Sequence, residues 1–237
     1  MKYLNVVEGI FLKRPNRFTA HVMVDGKEEI AHVKNTGRCR ELLVPGTVVY
    51  LQVHDISSRK TKYSLVTVKK GGLLINIDSQ APNKVMQEYL AQTKGLPGLN
   101  NLISRIKPEA AYGSSRFDFQ VSAGAQQAFL EIKGVTLEQD GIAKFPDAPT
   151  ERGVKHIREL MEAAGKGFLA YVIFVVQMKG IKYVTPNDRT HREFGLALRE
   201  AYRAGVNILA YDCCVKPDEL SIDQPVPVVL QEFDIFS

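Results

Sequence analysis

Tryptophan is absent from this sequence of 237 residues, and cysteine occurs only three times. Cys213 and Cys214 are adjacent and Cys39 stands alone. The cysteines therefore have neither the even count of a disulfide framework nor the spacing of a zinc site. This usage predicts reduced thiols and a cytoplasmic protein.

Long apolar runs are also missing. The longest, residues 168–178, is shorter than the roughly 18 apolar residues of a membrane-spanning helix and predicts a buried strand instead. Residues 1–14 lack the uninterrupted apolar stretch of a signal peptide. The sequence therefore predicts a protein that is neither exported nor bound to a membrane.

Charged residues, by contrast, are present in ordinary amount, at 24% of the chain, with basic residues in excess. The net charge of +5 and the isoelectric point near 9.0 fit a polyanionic partner such as nucleic acid without requiring one. The length allows either one large domain or two.

Short β-type runs separated by turn residues fill the first 80 residues. The predicted strands are residues 4–12, 18–24, 29–33, 47–55, 64–69 and 73–77. Turn chemistry separates them, for example at Asp25-Gly26 and Pro45-Gly46. About five short strands in about 80 residues predict an OB-like β-barrel over residues 1–80.

Helical periodicity begins after residue 82. Helices are predicted at residues 83–92, 150–164 and 188–204, and strands at about 103–137, 169–177 and 206–211. Thr150 is placed to be an N-cap residue and Gly205 a C′ residue. We therefore expect a mixed α/β domain over residues 81–237.

Charged residues alternate with apolar residues on two of these strands. Alternation puts Glu131 and Lys133 on one face, and Asp118 on the same face of the neighbouring strand. Their apolar neighbours are expected to face the core on the other side: Phe117, Phe119, Leu130 and Ile132. Because burying unpaired charge is costly, such a cluster predicts a functional site.

Metal-assisted phosphodiester hydrolysis is the chemistry that suits this set. Mg²⁺, or Mn²⁺ in its place, prefers hard oxygen ligands. Asp118, Glu131 and the carbonyl of Ile132 can supply them, and Lys133 can stabilise charge in the transition state. Glu88, on the polar side of the leading helix, is a further candidate ligand or a solvated residue. No organic cofactor is expected.

The order of these groups is similar to a known enzyme core. An Asp, followed about a dozen residues later by Glu-x-Lys, resembles the PD-(D/E)XK nucleases. In that core the three groups lie on adjacent strands behind a leading helix, within the order helix–strand–strand–strand–helix–strand. The predicted elements after residue 80 follow the same order.

Four segments carry a closer resemblance. They are Asn35-Thr-Gly-Arg38, Tyr112-Gly-x-Ser-Arg116-x-Asp118-Phe, Glu131-x-Lys133-x-Val-Thr136-Leu and Phe145-Pro-Asp147-Ala-x-Thr150-x-Arg152-Gly-x-Lys155-His156. Over about residues 9–228 the chain resembles the sugar fermentation stimulation protein A family. The resemblance implies an N-terminal OB-like domain, a nuclease-like αβββαβ domain and DNA binding. The family name also implies regulation of sugar-utilisation genes, particularly maltose genes.

Basic side chains are the candidate contacts to DNA phosphates. They are Arg14, Arg17, Lys34, Arg38 and Arg40 in the barrel, and Arg116, Arg152, Lys155 and His156 in the second domain. A solvated charged face is the alternative for the last three. Asp147 is a candidate catalytic or turn residue, and Gln177 a candidate polar group near the metal or a strand-end hydrogen bond.

Three functions remain open from the sequence. The first is a metal-dependent nuclease acting on single- or double-stranded DNA. The second is a DNA-binding regulator with an idle nuclease-like site. The third, a sugar sensor, rests on the family name alone. A homodimer is also left open.

Overall fold

The computed structural model describes residues 1–35, 37–55, 60–113 and 115–231. Thr36 and Ser114 of the motif segments, and the last six residues of the predicted second domain, lie outside this range. Within it, no helix is both long and apolar enough to cross a membrane.

Six strands form the N-terminal β-barrel, one for each of the six predicted runs. They are β1 (Val6–Asn16), β2 (Thr19–Val24), β3 (Lys27–Val33), β4 (Val48–Val53), β5 (Tyr63–Lys70) and β6 (Leu73–Asn76). Strand β1 lies between β2 and β4 and pairs antiparallel with both. Pairing of β3 with β5 in parallel closes the barrel. Ala20, Val22 and Val24 alternate with more exposed residues on β2 and point into the core, as the period-2 pattern predicts.

The remaining elements form a mixed α/β domain, as expected. Its helices are α1 (Ala81–Thr93), α2 (Glu151–Gly165) and α3 (Asp188–Arg203). Its strands are β7 (Arg105–Tyr112), β8 (Ser115–Ala123), β9 (Gln126–Val135), β10 (Glu138–Gln139), β11 (Ile142–Phe145), β12 (Leu169–Val176), β13 (Tyr183–Pro186), β14 (Asn207–Lys216) and β15 (Glu219–Pro225).

The main sheet of this domain has the order β15-β14-β12-β9-β8-β7. Strands β9, β12 and β14 are parallel, and the outer strands pair antiparallel. Helix α1 packs in the apolar cluster on one face of the sheet, and α2 and α3 in the cluster on the other. Strand β12 is covered on both faces, which explains its continuous apolar sequence.

Both predicted helix caps are confirmed. The hydroxyl of Thr150 accepts a hydrogen bond from the backbone N–H of Gly153 at 3.1 Å and so begins α2. Gly205 follows α3 with φ +87°, a left-handed conformation that favours glycine.

Four strands were missed by the sequence analysis. Strands β10, β11 and β13 form a small separate sheet and have only two to four residues each, too few to show a period. Strand β15 is an edge strand in which only Leu220 and Ile222 alternate with polar residues, a pattern too short to be recognised in the sequence.

Gln177 joins the barrel to the sheet. Its side-chain amide donates to Asn76 Oδ1 at 2.9 Å and to the carbonyl of Asp78 at 3.1 Å. Its backbone carbonyl accepts from the N–H of Asn76 at 2.9 Å. Because the side chain is only 1% exposed, these bonds form in a dry region where an unmet partner is costly.

We expect Gln177→Leu to destabilise the protein, because Asn76 Oδ1 and the Asp78 carbonyl would lose their donor. The free energy of unfolding should fall by about 1–3 kcal/mol, which lowers Tm by about 2–4 °C per kcal/mol in a chain of this size. Gln87→Leu, at an exposed position of α1, is the matched control. Equal Tm values for the two variants would contradict this role.

Candidate metal-binding and catalytic site

Strands β8 and β9 separate where the predicted acids lie. They pair from Ala123↔Gln126 only as far as Phe119↔Leu130. Beyond this point, Asp118 Oδ2 accepts the backbone N–H of Ile132 at 2.7 Å. A side-chain carboxylate thus takes the place of the next backbone acceptor. The N–H and C=O of a strand residue point to the same neighbour, so the Ile132 carbonyl also faces this gap.

The two phenylalanines beside Asp118 pack on opposite faces of the sheet, which corrects one expectation. Phe119 packs in the apolar cluster on the α1 side of the sheet, with Leu130 and Ile132. Phe117 instead packs on the α2 side, with its ring centroid 5.3 Å from that of Phe129. Strict alternation would have put both phenylalanines on one face. The alternation is interrupted at Asp118, where the pairing of β8 with β9 has ended.

Asp118 is held from the α1 side. Its Oδ1 accepts from the side-chain amide of Asn83 at 2.8 Å. Glu131 and Lys133, in contrast, lie on the α2 side of β9. The three charged groups therefore meet at the gap between two strands rather than along a single sheet face.

Glu131 is buried, with 3% exposure, and two donors converge on one of its oxygens. Lys133 Nζ and His156 Nδ1 each lie 2.6 Å from Oε1. The other oxygen, Oε2, is buried and has no hydrogen-bond partner among the described residues. An anionic oxygen in this state is costly unless a cation binds it.

The two carboxyl groups have opposite pKa shifts. Burial raises the pKa of Asp118, and the nearby charge of Glu131 adds to this, against the hydrogen bonds from Ile132 and Asn83. Burial would also raise the pKa of Glu131, but the hydrogen bond from His156 and the charge of Lys133 outweigh it and lower that pKa. Glu131 is thus held as an anion, while ionised Asp118 costs stability.

These residues fit a hard divalent cation. The donor set consists of oxygens, two of them anionic, as Mg²⁺, Mn²⁺ and Ca²⁺ prefer. Asp118 can contribute because each carboxylate oxygen accepts more than one bond. Glu131 Oε2 has no hydrogen bond to give up.

The helix residue that reaches the site is Asn83, not Glu88. Glu88 Oε2 lies 2.6 Å from the Met1 ammonium group, on an exposed part of α1. Glu88 is five positions after Asn83, which places the two side chains about 140° apart around the helix. The acidic side chain of Glu88 suggested a metal ligand. The only feature of the sequence that pointed to Asn83 was its place in the first turn of the leading helix.

His156 has a different position from the one expected. It was a candidate phosphate contact, but it is only 5% exposed and lies against Glu131. Arg152 Nε donates to His156 Nε2 at 3.4 Å. This places the ring proton on Nδ1, directed at Glu131. Arg152 and His156 do lie on one side of α2, as their i, i+4 spacing predicts.

Two basic residues of the barrel have structural partners. Arg14 donates to four backbone carbonyls, those of Arg17, Asn35, Gly37 and Arg38, at 2.6–2.9 Å. Lys34 Nζ lies 3.0 Å from Asp78 Oδ2. Their positive charges are thus used to hold loops together, which makes them poor candidates for phosphate contacts.

The other predicted contacts are at the surface. Arg17, Arg38, Arg40, Arg116, Arg152 and Lys155 are exposed. The guanidinium of Arg17 lies 4.8 Å from the centre of the Phe18 ring, and Lys155 Nζ lies 3.7 Å from Glu159. Asp147 is exposed and lines a cavity with Gln177. The contacts of Gln177 are those of a strand-end hydrogen bond, the second of the two interpretations left open above.

A second group of potential ligands lies at the start of α2. Glu151, His191 and Glu193 bring ligand atoms within 4.8 Å of one another. However, His191 Nδ1 accepts from the N–H of Thr150 at 3.4 Å, and Nε2 lies 3.2 Å from Glu151. This pattern puts the ring proton on Nε2, where a metal would have to bind. The group therefore fits a helix-capping role.

We expect Asp118→Asn to raise Tm at pH 7 in EDTA by a few degrees. A carboxyl group whose pKa is raised on folding stabilises the fold while protonated and loses that contribution as the pH rises through the folded pKa. The asparagine keeps an acceptor for Ile132 without the charge. The difference in Tm should shrink as the pH falls toward about 4, near the ordinary pKa of Asp.

The change in Tm on addition of a divalent cation is the complementary measurement. Mn²⁺ or Ca²⁺ should raise the Tm of the wild type, because it binds the folded state, and should leave Asp118→Asn nearly unchanged. An asparagine variant that melts below the wild type in EDTA would contradict the assigned shift.

His156 is expected to act as a positioning residue for Glu131. His156→Phe removes the donor, and the affinity for Mn²⁺, measured by calorimetry without substrate, should fall by about 10–100-fold. His156→Asn can still donate to Oε1 and should recover part of the loss. Unchanged affinity in the phenylalanine variant would show that Lys133 alone positions the carboxylate.

Comparison with known proteins gives relatives over nearly the full length. The chain is 56% identical over 232 residues to a sugar fermentation stimulation protein homolog of Desulfitobacterium hafniense, covering 98% of this chain and 100% of the relative. It is 54% identical over 230 residues to the homolog of Ruminiclostridium cellulolyticum, covering 97% and 100%.

A solved structure extends the likeness to the fold. It is described as Pyrococcus furiosus SfsA in complex with Ca²⁺ and superposes with a TM-score of 0.86 at 29% identity, covering 97% of this chain and 98% of that one. Two family models also match: the SfsA N-terminal OB domain over residues 12–77, and the sugar fermentation stimulation protein RE domain over residues 80–219. The chain belongs to the sugar fermentation stimulation protein family, with an OB-like barrel followed by the mixed α/β domain that the RE-domain model matches.

Proposed function

We propose that this protein is a divalent-cation-dependent nuclease that hydrolyses phosphodiester bonds in DNA. One observation carries the proposal. Glu131 is held as an anion by His156 and Lys133, yet its Oε2 is buried without a hydrogen-bond partner among the described residues, close to Asp118. A structural ion pair would not need a second acid or an unsatisfied oxygen, whereas a cation site uses both.

The residues at the strand gap have separate roles in this reaction. In hydrolysis a water oxygen bonds to phosphorus, the bond to one ester oxygen breaks, and the proton of the water ends on the leaving group. A divalent cation, when bound, supplies Lewis-acid activation of the phosphate and of the water. Lys133 is 15% exposed, so its ammonium group can donate to a phosphate oxygen and stabilise the developing charge. His156 keeps Glu131 oriented.

Mg²⁺ or Mn²⁺ is the proposed working cation, because each accepts an oxygen ligand set with open positions for phosphate. The solved relative is described as a complex with Ca²⁺, which has similar ligand preferences. The choice of DNA rests on the nuclease-like domain and on the barrel, whose first 80 residues hold 13 Lys and Arg against 7 Asp and Glu. Cytoplasmic location and homodimer formation stay predictions.

Cleavage assays with Asp118→Ala and Glu131→Ala test the proposal. Labelled single-stranded, double-stranded and branched DNA would be incubated with Mg²⁺, Mn²⁺ or EDTA. Each substitution should lower the cleavage rate by at least about 10²–10³-fold while leaving DNA binding in EDTA intact. Glu88→Ala is the control, because it removes an acid of α1 that lies away from the gap. This variant should cut DNA at the wild-type rate.

Cutting that survives both substitutions would rule out this site. DNA binding without cutting under any of the cations would instead favour the regulator with an idle site, in which the acids serve only to bind phosphate through a cation.

A further inference from the structure

Two cavities meet at Gly37, between the barrel and the nuclease-like domain. The first is a cleft of about 480 Å³ in the barrel. The second is a smaller cavity of about 170 Å³ at the carboxyl end of β9. Gly37 lines both, and a Cβ atom there would collide with Asp147. A larger residue at this position would therefore have to displace the Asp147 side chain from the loop.

The barrel cleft is built for phosphate. Its charged lining residues, among those described, are all basic: Lys13, Arg14, Arg17, Arg38 and Arg40. Arg14 is committed to backbone carbonyls, but the other four are exposed. Charge along the chain agrees with this. The first 80 residues have a net charge of +6, from 13 basic and 7 acidic residues, and the remainder has 18 against 19. The positive potential is thus concentrated on the barrel.

A flat surface adjoins this cleft. Phe18 is 47% exposed, and the Arg17 guanidinium lies over its ring at 4.8 Å. Aromatic and guanidinium planes next to a basic groove are the surfaces on which unpaired bases stack, and stacking does not depend strongly on sequence. Paired bases inside a duplex cannot reach such a surface.

The smaller cavity has the opposite chemistry. Its Asp147 side chain is a carboxylate, and Gln177 presents Oε1 because its amide nitrogen donates to Asn76 and Asp78. Gly134 adds no side chain. Lys144, the basic residue of this lining, donates to Gln139 Oε1 at 3.1 Å. The acceptor oxygens of Asp147 and Gln177 can therefore receive the exocyclic amino group of a base. The volume equals that of about six waters, enough for one planar heterocycle.

The small cavity also lies next to the proposed catalytic groups. Gly134 lines it and directly follows Lys133 on β9, a rise of about 3.3 Å along the strand. A strand that places one base in the cavity would place a neighbouring phosphate near the gap between β8 and β9. The remaining strand would then pass Gly37 into the basic cleft.

We propose that the substrate is DNA with an unpaired stretch. One unpaired base occupies the cavity between Gly37 and Gly134, and the adjoining single strand follows the cleft of Lys13, Arg17, Arg38 and Arg40. This inference rests on the proposed nuclease function, because it describes how a DNA strand reaches the proposed site. Binding measurements alone can test it.

The salt dependence of binding tests the cleft. Fluorescence anisotropy in EDTA would compare a blunt duplex, the same duplex with a single-stranded tail, and the tail alone. The tailed and single-stranded DNA should bind more tightly than the blunt duplex. Arg38→Ala/Arg40→Ala should reduce the slope of log K against log salt by about 1.4 for the tail, at about 0.7 per lost contact. Lys27→Ala, an exposed barrel residue outside the cleft, should change it by less than half as much.

The identity of the tail base tests the small cavity. Cytosine offers an amino donor where thymine offers a carbonyl acceptor, so an oligo-dC tail should bind about 3–10-fold more tightly than oligo-dT, the equivalent of one hydrogen bond. Asp147→Ala should reduce that ratio toward one. Asp147→Asn, which keeps an acceptor oxygen, should retain part of it.

The outcomes separate this inference from the nuclease proposal. Blunt duplex bound as tightly as tailed DNA, or a salt slope equal in the arginine and Lys27 variants, would overturn the strand path even if the protein cuts DNA. Tail-dependent binding without cleavage would support the proposed strand path and contradict the nuclease proposal. An equal affinity for dC and dT tails would exclude the base from the small cavity.

Discussion

The hydrogen bond from the Ile132 N–H to Asp118 Oδ2 is the contact on which the site depends. It occupies the position where the β8–β9 ladder would otherwise continue, so the strands separate without leaving the donor unmet. The gap admits the Ile132 carbonyl and the carboxyl groups of Asp118 and Glu131 from opposite sides of the sheet. A fully paired sheet would have satisfied those backbone groups and left no room for a cation or a phosphate.

The two acids of the site contribute differently to stability. One oxygen of Glu131 accepts hydrogen bonds from His156 and Lys133, which lower the pKa of this carboxyl group. Burial and the charge of Glu131 raise the pKa of Asp118. Two like charges held together in a poorly solvated gap oppose folding, and a bound cation offsets that repulsion. The same burial that destabilises the metal-free protein would therefore increase the affinity of the proposed site for a divalent ion, at a cost in stability.

Much of this could be read from the sequence, because the signals were local. Alternation in residues 1–80 and the caps at Thr150 and Gly205 predicted the barrel and the helices. Glu131 and Lys133 shared a face because strands have a period of two. The same rule failed at Phe117, which lies in the stretch of β8 that is not paired with β9. His156 and Asn83 are recognisable only by what they contact, through pairs 25 and 35 residues apart in the chain.

The basic residues and the acidic gap lie in different domains. A basic barrel alone would bind DNA anywhere along its length, and an acidic gap alone would repel phosphate unless a cation were present. Gly37 and Gln177 bring the two within one continuous surface: the glycine permits close approach of the barrel loop to Asp147, and the amide ties β6 to the end of β12. Since β9 runs beside β12 in register, with Glu131 opposite Val172, this tie also fixes the distance between the barrel cleft and the proposed catalytic residues. In the proposed reaction, a rigid distance of this kind would let binding of a strand in the barrel set the position of a phosphate at the gap.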